Sequence, residues 1–187
     1  MNEALWALGR GTGIVALVLL TVSVVLGIAT RSGRPLPLLG RFGVADVHRT
    51  VALTATGLIA LHLGSLLFDS YAQLNLLDLV LPFLGTWRPL WLGLGTLAVD
   101  LLAVITLVSL LRHRVGPRVF KAVHWLTYAL WPVALLHSLG TGTNAGSAWF
   151  TVLAAVCSAA VAGAVAWRFT PSFDGRGWHR TPRKVLL

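Results

Sequence analysis

Residues 44–68 read VADVHRTVALTATGLIALHLGSLLF, an apolar run that contains two histidines, His48 and His62, in the spacing H-x13-H. At ~1.5 Å per residue a helix of this length crosses the ~30 Å of hydrocarbon in a bilayer. Ionisable side chains at membrane depth are costly and usually functional. The stretch therefore predicts a transmembrane helix that carries part of a functional site.

Further apolar runs lie on both sides of this one, and their bounds predict spans at 8–29, 89–111, 119–138 and 148–168. Hydrophobic residues make up 56% of the chain and charged residues only 11%, too few for the surface of a soluble domain. The sequence thus predicts an all-α integral membrane protein, a bundle of about five transmembrane helices. The net charge of +9 does not indicate nucleic-acid binding, because the cations lie between apolar runs without interleaved aromatic residues.

The distribution of cations predicts the orientation. Of the 15 Lys and Arg residues, only Arg10 and Arg88 fall on one side of the predicted spans. The positive-inside rule places the N-terminus outside and the C-terminus in the cytoplasm of a multi-pass plasma-membrane protein. We expect a membrane domain at 1–168 and a basic cytoplasmic tail at 169–187. The cations on the cytoplasmic side are Arg31, Arg34, Arg41, Arg49, Arg112, Arg114, Arg118, Lys121, Arg168, Arg176, Arg180, Arg183 and Lys184.

The first apolar run is too long for a cleavable signal peptide, and Arg31 and Arg34 follow it like a stop-transfer flank. The solitary Cys157 excludes an intrachain disulfide. Within the longest outer connection, LNLLDLVLPF is apolar but is interrupted by Asp78 and Pro82. It is too short to span, so we expect a short helix in the outer membrane interface within 70–85.

Two more histidines, His124 and His137, lie in the fourth predicted span, whereas His113 and His179 lie among cytoplasmic arginines. The second and fourth spans run in the same direction. His48 and His62 are ~21 Å apart along the second span, and His124 and His137 are ~19.5 Å apart along the fourth. Because the two steps are nearly equal, the histidines form two layers, each with one histidine from each helix. Imidazole nitrogen is a natural axial ligand of haem iron, so the two layers predict two b-type haems.

The rotational positions of these histidines around their helices fit the two-layer arrangement less well than their depths do. At ~100° per residue His48 and His62 fall within ~40° of one face, but His124 and His137 differ by ~140°. Pro132 lies between the latter two, and we expect it to kink the helix and absorb part of the difference.

The sequence resembles the ferric reductase-like transmembrane domain, the haem-bearing part of ferric reductases, NADPH oxidases and the haem subunit of bacterial methionine sulfoxide reductase. The likeness covers roughly residues 40–168. It depends on H-x13-H, on a basic loop that ends in R-x-x-K-x-x-H (Arg118, Lys121, His124), and on H-x12-H. The resemblance implies bis-histidine ligation by His48 with His124 and by His62 with His137, all four as ligands of haem iron.

The oxidases and reductases of that family continue into FAD- and NAD(P)H-binding domains. This chain shows no G-x-G-x-x-G motif after a strand and no room for a nucleotide fold. We therefore expect a membrane subunit that depends on a cytoplasmic flavoprotein or quinol as donor, with an outer redox partner, ferric chelate or oxygen as acceptor. Apart from membrane lipid, no other partner is predicted. The alternative is a cofactor-free transporter or proton channel that uses the histidines and Asp100.

Haem propionates are anionic and need cationic partners. Arg88 is the candidate for the outer haem, and Arg49, Arg118 and Lys121 are candidates for the inner one. Each of these four could equally be a charge that only sets topology.

Two other residues and two glycine-rich segments have open roles. Trp131 could lie between the haems, pack in the core or face lipid. Asp100, near the centre of the third span, could orient a histidine, take part in proton or quinone chemistry, or remain protonated and hydrogen-bonded. The glycines of GRGTG (9–13) and GLGTL (93–97) more plausibly allow close approach of a helix or a macrocycle than bind phosphate.

Overall fold

The computed structural model describes residues 3–34, 40–68, 76–85, 87–142 and 144–173, and every regular element among them is helical. Four of the helices are long and apolar enough to cross a membrane, and α4 and α5 meet the same criterion when they are taken together as one span that is bent by 49°. The prediction of an all-α membrane bundle of about five spans is confirmed. The helices are α1 (Glu3–Ser32), α2 (Arg41–Phe68), α3 (Pro89–Leu110), α4 (Arg112–His124), α5 (Thr127–Thr141) and α6 (Ala148–Arg168), with a 3₁₀ helix at Leu76–Leu79.

The bend in the fourth span lies at Trp125 and Leu126, directly after His124. The break therefore precedes Pro132, where the sequence led us to expect a kink. Pro132 lies in the second turn of α5, and the helix continues past it to Thr141. The hydrogen bond that its missing N–H would make is to the carbonyl four residues earlier, in the first turn of α5, so only one bond near the helix start is lost.

The basic segment before the bend has a break of its own. Gly116 has φ 80° and ψ 163° in the middle of α4. Pro117 follows it, and a residue before proline is disfavoured in the helical region. Glycine accepts the positive φ at this position without the clash that a Cβ would cause. The turn thus separates the arginine-rich start of α4 from the part that carries His124.

An interfacial helix was predicted within 70–85, and the described part of this segment, 76–85, contains only one short helical turn. Leu76–Leu79 forms a single 3₁₀ turn, and residues 70–75 lie outside the described ranges. Pro82 prevents an α-helix from continuing here because it lacks an N–H, and Phe83 after it adopts φ 70°. The Thr96 hydroxyl donates to the Asp78 carbonyl at 2.6 Å, which holds this turn against α3.

The core lies at mid-depth, between the positions of the histidine layers. Trp131 belongs to it, with 7% of its surface exposed, so the lipid-facing interpretation of this residue is wrong. Its indole N–H donates to the Thr21 hydroxyl at 2.9 Å. This bond satisfies a polar group that would otherwise be buried without a partner, and it ties α5 to α1. The buried residues of this cluster are Leu20, Ala55, Ala98, Leu102, Ile105, Leu130, Trp131 and Cys157.

Candidate haem sites

The structure brings His48 of α2 and His124 of α4 together. Their ring centroids are 6.1 Å apart and their planes are nearly perpendicular, at 84°. Two imidazoles that bind one metal ion from opposite sides, with metal–nitrogen distances of about 2 Å, have centroids about 6 Å apart. The spacing of this pair therefore fits the two axial positions of a haem iron.

His62 of α2 and His137 of α5 line one common cavity at the other end of the bundle. The empty volume of this cavity, including its open part, is about 1280 Å³. Most of the wall is apolar, as a macrocycle requires. Besides the two histidines, its polar residues are Arg10, Asp78, Thr96, Ser138, Thr141 and Asn144.

Three of the four histidines donate a hydrogen bond from Nδ1 to a backbone carbonyl of a neighbouring helix. His48 bonds to the Ser23 carbonyl at 2.9 Å and His62 to the Gly9 carbonyl at 2.6 Å. His137 bonds to the Trp91 carbonyl at 2.8 Å. A carbonyl oxygen can only accept, so Nδ1 must carry the proton, and Nε2 keeps its lone pair for a metal.

His124 differs from the other three. Its Nδ1 is buried and makes no hydrogen bond within the part of the chain that the structure describes, and its ring stacks on Phe120 with centroids 5.1 Å apart. It is the last residue of α4, so its position depends on the bend that follows it.

This bend reduces the rotational mismatch of His124 and His137. Around it Leu126 N–H donates to the Val123 carbonyl, and Tyr128 N–H donates to the Trp125 carbonyl. Such i to i+3 bonds tighten the helix, which then turns ~120° per residue instead of ~100°. The extra rotation, together with the 49° change of direction, brings His124 and His137 closer to one face than a straight helix allows.

The predicted cationic partners have different positions. Arg88 is exposed and is not part of the cavity wall; it donates to the Gly140 carbonyl at 2.8 Å and lies over the Trp87 ring. Arg49, Arg118 and Lys121 are exposed at the end of the bundle that contains the His48–His124 pair. Sequence reasoning did not assign Arg10 to a site, yet Arg10 lines the His62–His137 cavity.

The remaining ionisable candidates are His113, His179 and Asp100. His113 is exposed on α4, and His179 falls outside the described residues. Asp100 is partly exposed in α3. Because His48, His62 and His137 donate to carbonyls, the Asp100 carboxylate does not orient any of these three rings.

The fold and the site define a multi-pass membrane protein with two pairs of intramembrane histidines. A family model for the ferric reductase like transmembrane component matches residues 12–135, more than half of the chain, so the chain belongs to that family. Membership supports a transmembrane oxidoreductase role. The match includes most of α1, which the resemblance over 40–168 left out, and it ends before His137. No curated protein and no solved structure matches the chain.

Proposed function

We propose that this protein carries electrons across the plasma membrane through two b-type haems, as a subunit that receives electrons from a separate donor. The observation that carries the proposal is the pairing of the histidines: His48 with His124, and His62 with His137. When bound, haem supplies reversible one-electron chemistry at its iron. Family membership supports an oxidoreductase role, and the paired imidazoles give that role a specific form.

The protein's own residues have three tasks in this proposal. The paired imidazoles would hold the two haems, and a haem held by two histidines would supply electron transfer rather than a site for oxygen or substrate. The backbone carbonyls of α1 and α3 hold three of the rings in the tautomer that leaves Nε2 free. The largely apolar walls of the His62–His137 cavity favour a hydrophobic macrocycle.

Arg10 is the propionate partner that we propose for the haem between His62 and His137. It lies in the wall of that cavity and on the side where cations are otherwise scarce. Its guanidinium also packs over the Trp6 ring, 4.6 Å from the centroid, which restricts where the side chain can point. Arg49, Arg118 and Lys121 remain the candidates for the other haem, because all three belong to the end of the bundle that contains His124.

The proposed donor is a cytoplasmic flavoprotein or quinol, and the acceptor is a ferric chelate, oxygen or a redox partner outside the cell. The predicted cytoplasmic face carries nearly all of the chain's positive charge. Such a surface attracts an acidic partner by long-range electrostatics and raises its rate of association.

The reduced-minus-oxidised absorbance spectrum of the purified protein tests the proposal. We expect dithionite to induce the bands of a b-type cytochrome and a ferric chelate to remove them. A colourless but folded preparation would instead support the cofactor-free transporter or proton channel that uses the histidines and Asp100.

A second prediction concerns Arg10. Replacing it by glutamine removes a positive charge beside the propionates, which stabilises ferric over ferrous iron and lowers the midpoint potential of that haem. At an effective dielectric constant near 20, the free energy of reducing that haem changes by an amount on the order of 1 kcal/mol. Redox titration measures it, and Arg88→Gln is the matched control because Arg88 lies outside the cavity wall. An unchanged potential in Arg10→Gln, or an equal shift in both variants, would refute this assignment.

A further inference from the structure

Each histidine that donates to a carbonyl also lies against a glycine of the same neighbouring helix. An ideal Cβ at Gly13 would lie 3.1 Å from the His62 ring, and one at Gly27 would lie 3.2 Å from the His48 ring. A Cβ at Gly95 would lie only 2.5 Å from the His137 ring. Close approach therefore depends on the missing side chain at each of these three positions.

The glycine and the carbonyl have a fixed relation in the sequence. Gly13 follows the acceptor Gly9 by four residues, and Gly95 follows the acceptor Trp91 by four. Ser23 and Gly27 show the same spacing for His48. In an α-helix the carbonyl of residue i points toward residue i+4, so a glycine there opens the helix surface beside that carbonyl and admits a ring.

We propose that Gly13, Gly27 and Gly95 are positioning residues that set the axial imidazoles of the two haems. Each glycine admits one histidine to the carbonyl four residues earlier, and that bond fixes the ring's tautomer and orientation. The inference rests on the proposed haem ligation but makes a separate claim. Three of the four histidines are held by a helix surface of this kind, whereas among the described residues no glycine is recorded against the His124 ring and its Nδ1 has no hydrogen-bond partner.

The consequence differs between the two sites. The His62–His137 site has two ligands held in this way, one by α1 and one by α3. The His48–His124 site has one, and its second ligand depends on the bend after α4. A methyl group at Gly13 or Gly95 should therefore perturb one haem, and a methyl group at Gly27 should perturb the other.

Alanine substitutions test this inference, with haem content and the low-spin signals in electron paramagnetic resonance as readouts. We expect Gly95→Ala to have the largest effect, because its Cβ is the closest to a ring. Loss of a hydrogen bond behind a metal ligand lowers metal affinity about 10–100-fold, and we expect a loss of this size in Gly95→Ala. Gly13→Ala and Gly27→Ala should keep their haems but shift the low-spin signal and the midpoint potential of one haem each.

The chain provides matched controls. Gly11 lies in α1 between Gly9 and Gly13, and Gly57 and Gly64 lie in α2. A Cβ at any of these three positions would meet nothing within 4 Å. Alanine at these positions should leave both haem signals unchanged. If Gly95→Ala does not fold, Gly13→Ala and Gly27→Ala still decide the matter, because a few tenths of an ångström accommodates each methyl group.

Three outcomes are distinguishable. Site-specific shifts in the Gly13 and Gly27 variants, with silent controls, support the inference. Wild-type protein with two haems and variants with unshifted signals would overturn it and leave the proposed function intact. Wild-type protein without haem would overturn both.

Discussion

His62→Ala is expected to lose the haem between His62 and His137 and to keep the other, so that haem content falls by about half. His124→Ala should do the converse. The reason is geometric: His48 and His124 face each other at one end of the bundle, and His62 and His137 share a cavity at the other. Each substitution removes one of two axial nitrogens from a single iron and leaves the other pair intact.

The measurement for this prediction is haem content together with the low-spin signals of bis-histidine haem. His113→Ala is the matched control, because His113 belongs to the same helix as His124 but is exposed. It should retain both haems. If either His62→Ala or His124→Ala kept both low-spin signals, the ligand assignment would be wrong.

The second large effect concerns electron supply. NADPH alone should not reduce the haems at a significant rate, whereas NADPH with an added flavin reductase should reduce them rapidly. A hydride donor delivers two electrons at once and haem accepts one at a time, so a flavin must convert between them. The described residues form a helical bundle, and a nicotinamide site requires a strand, a glycine-rich turn and a helix within a larger sheet.

Stopped-flow mixing in membrane vesicles measures this dependence and tests the orientation at the same time. In inside-out vesicles the basic face predicted to be cytoplasmic is exposed to the added reductase, and reduction should be fast. In right-side-out vesicles it should be slow. Rapid reduction by NADPH alone would refute dependence on a partner, and the reverse vesicle preference would refute the N-outside orientation.

Much of this architecture follows from local pattern. Apolar runs of sufficient length predict helices that span the bilayer, and four of the predicted spans agree closely with α1, α2, α3 and α6. The histidines could be located in depth because a helix rises by a constant amount per residue. That argument uses only the sequence positions of His48, His62, His124 and His137.

What the sequence did not predict depends on contacts between helices. The location of the bend was missed because proline is a common cause of kinks, yet Pro132 is accommodated near the start of α5. The glycines of GRGTG and GLGTL were expected to permit close approach, but no local pattern showed which side chain approaches. The structure shows that Gly13 lies against His62 and Gly95 against His137.

Arg10 was missed for the same reason. Counting cations by loop favoured Arg88 as the residue beside the outer haem, because it lies on the longest outer connection. In the structure Arg88 donates to the Gly140 carbonyl near the end of α5, and its role beside the outer haem stays a prediction. Arg10, in the first helix, reaches the cavity because α1 packs along α2.

The number of haems per chain tests the central claim most directly. Pyridine haemochrome absorbance of the purified protein gives the concentration of haem b. Quantitative amino-acid analysis of the same sample gives the concentration of the chain. Two pairs of axial histidines predict a ratio of about two. A ratio of one, or no haem in a folded preparation, would contradict the account.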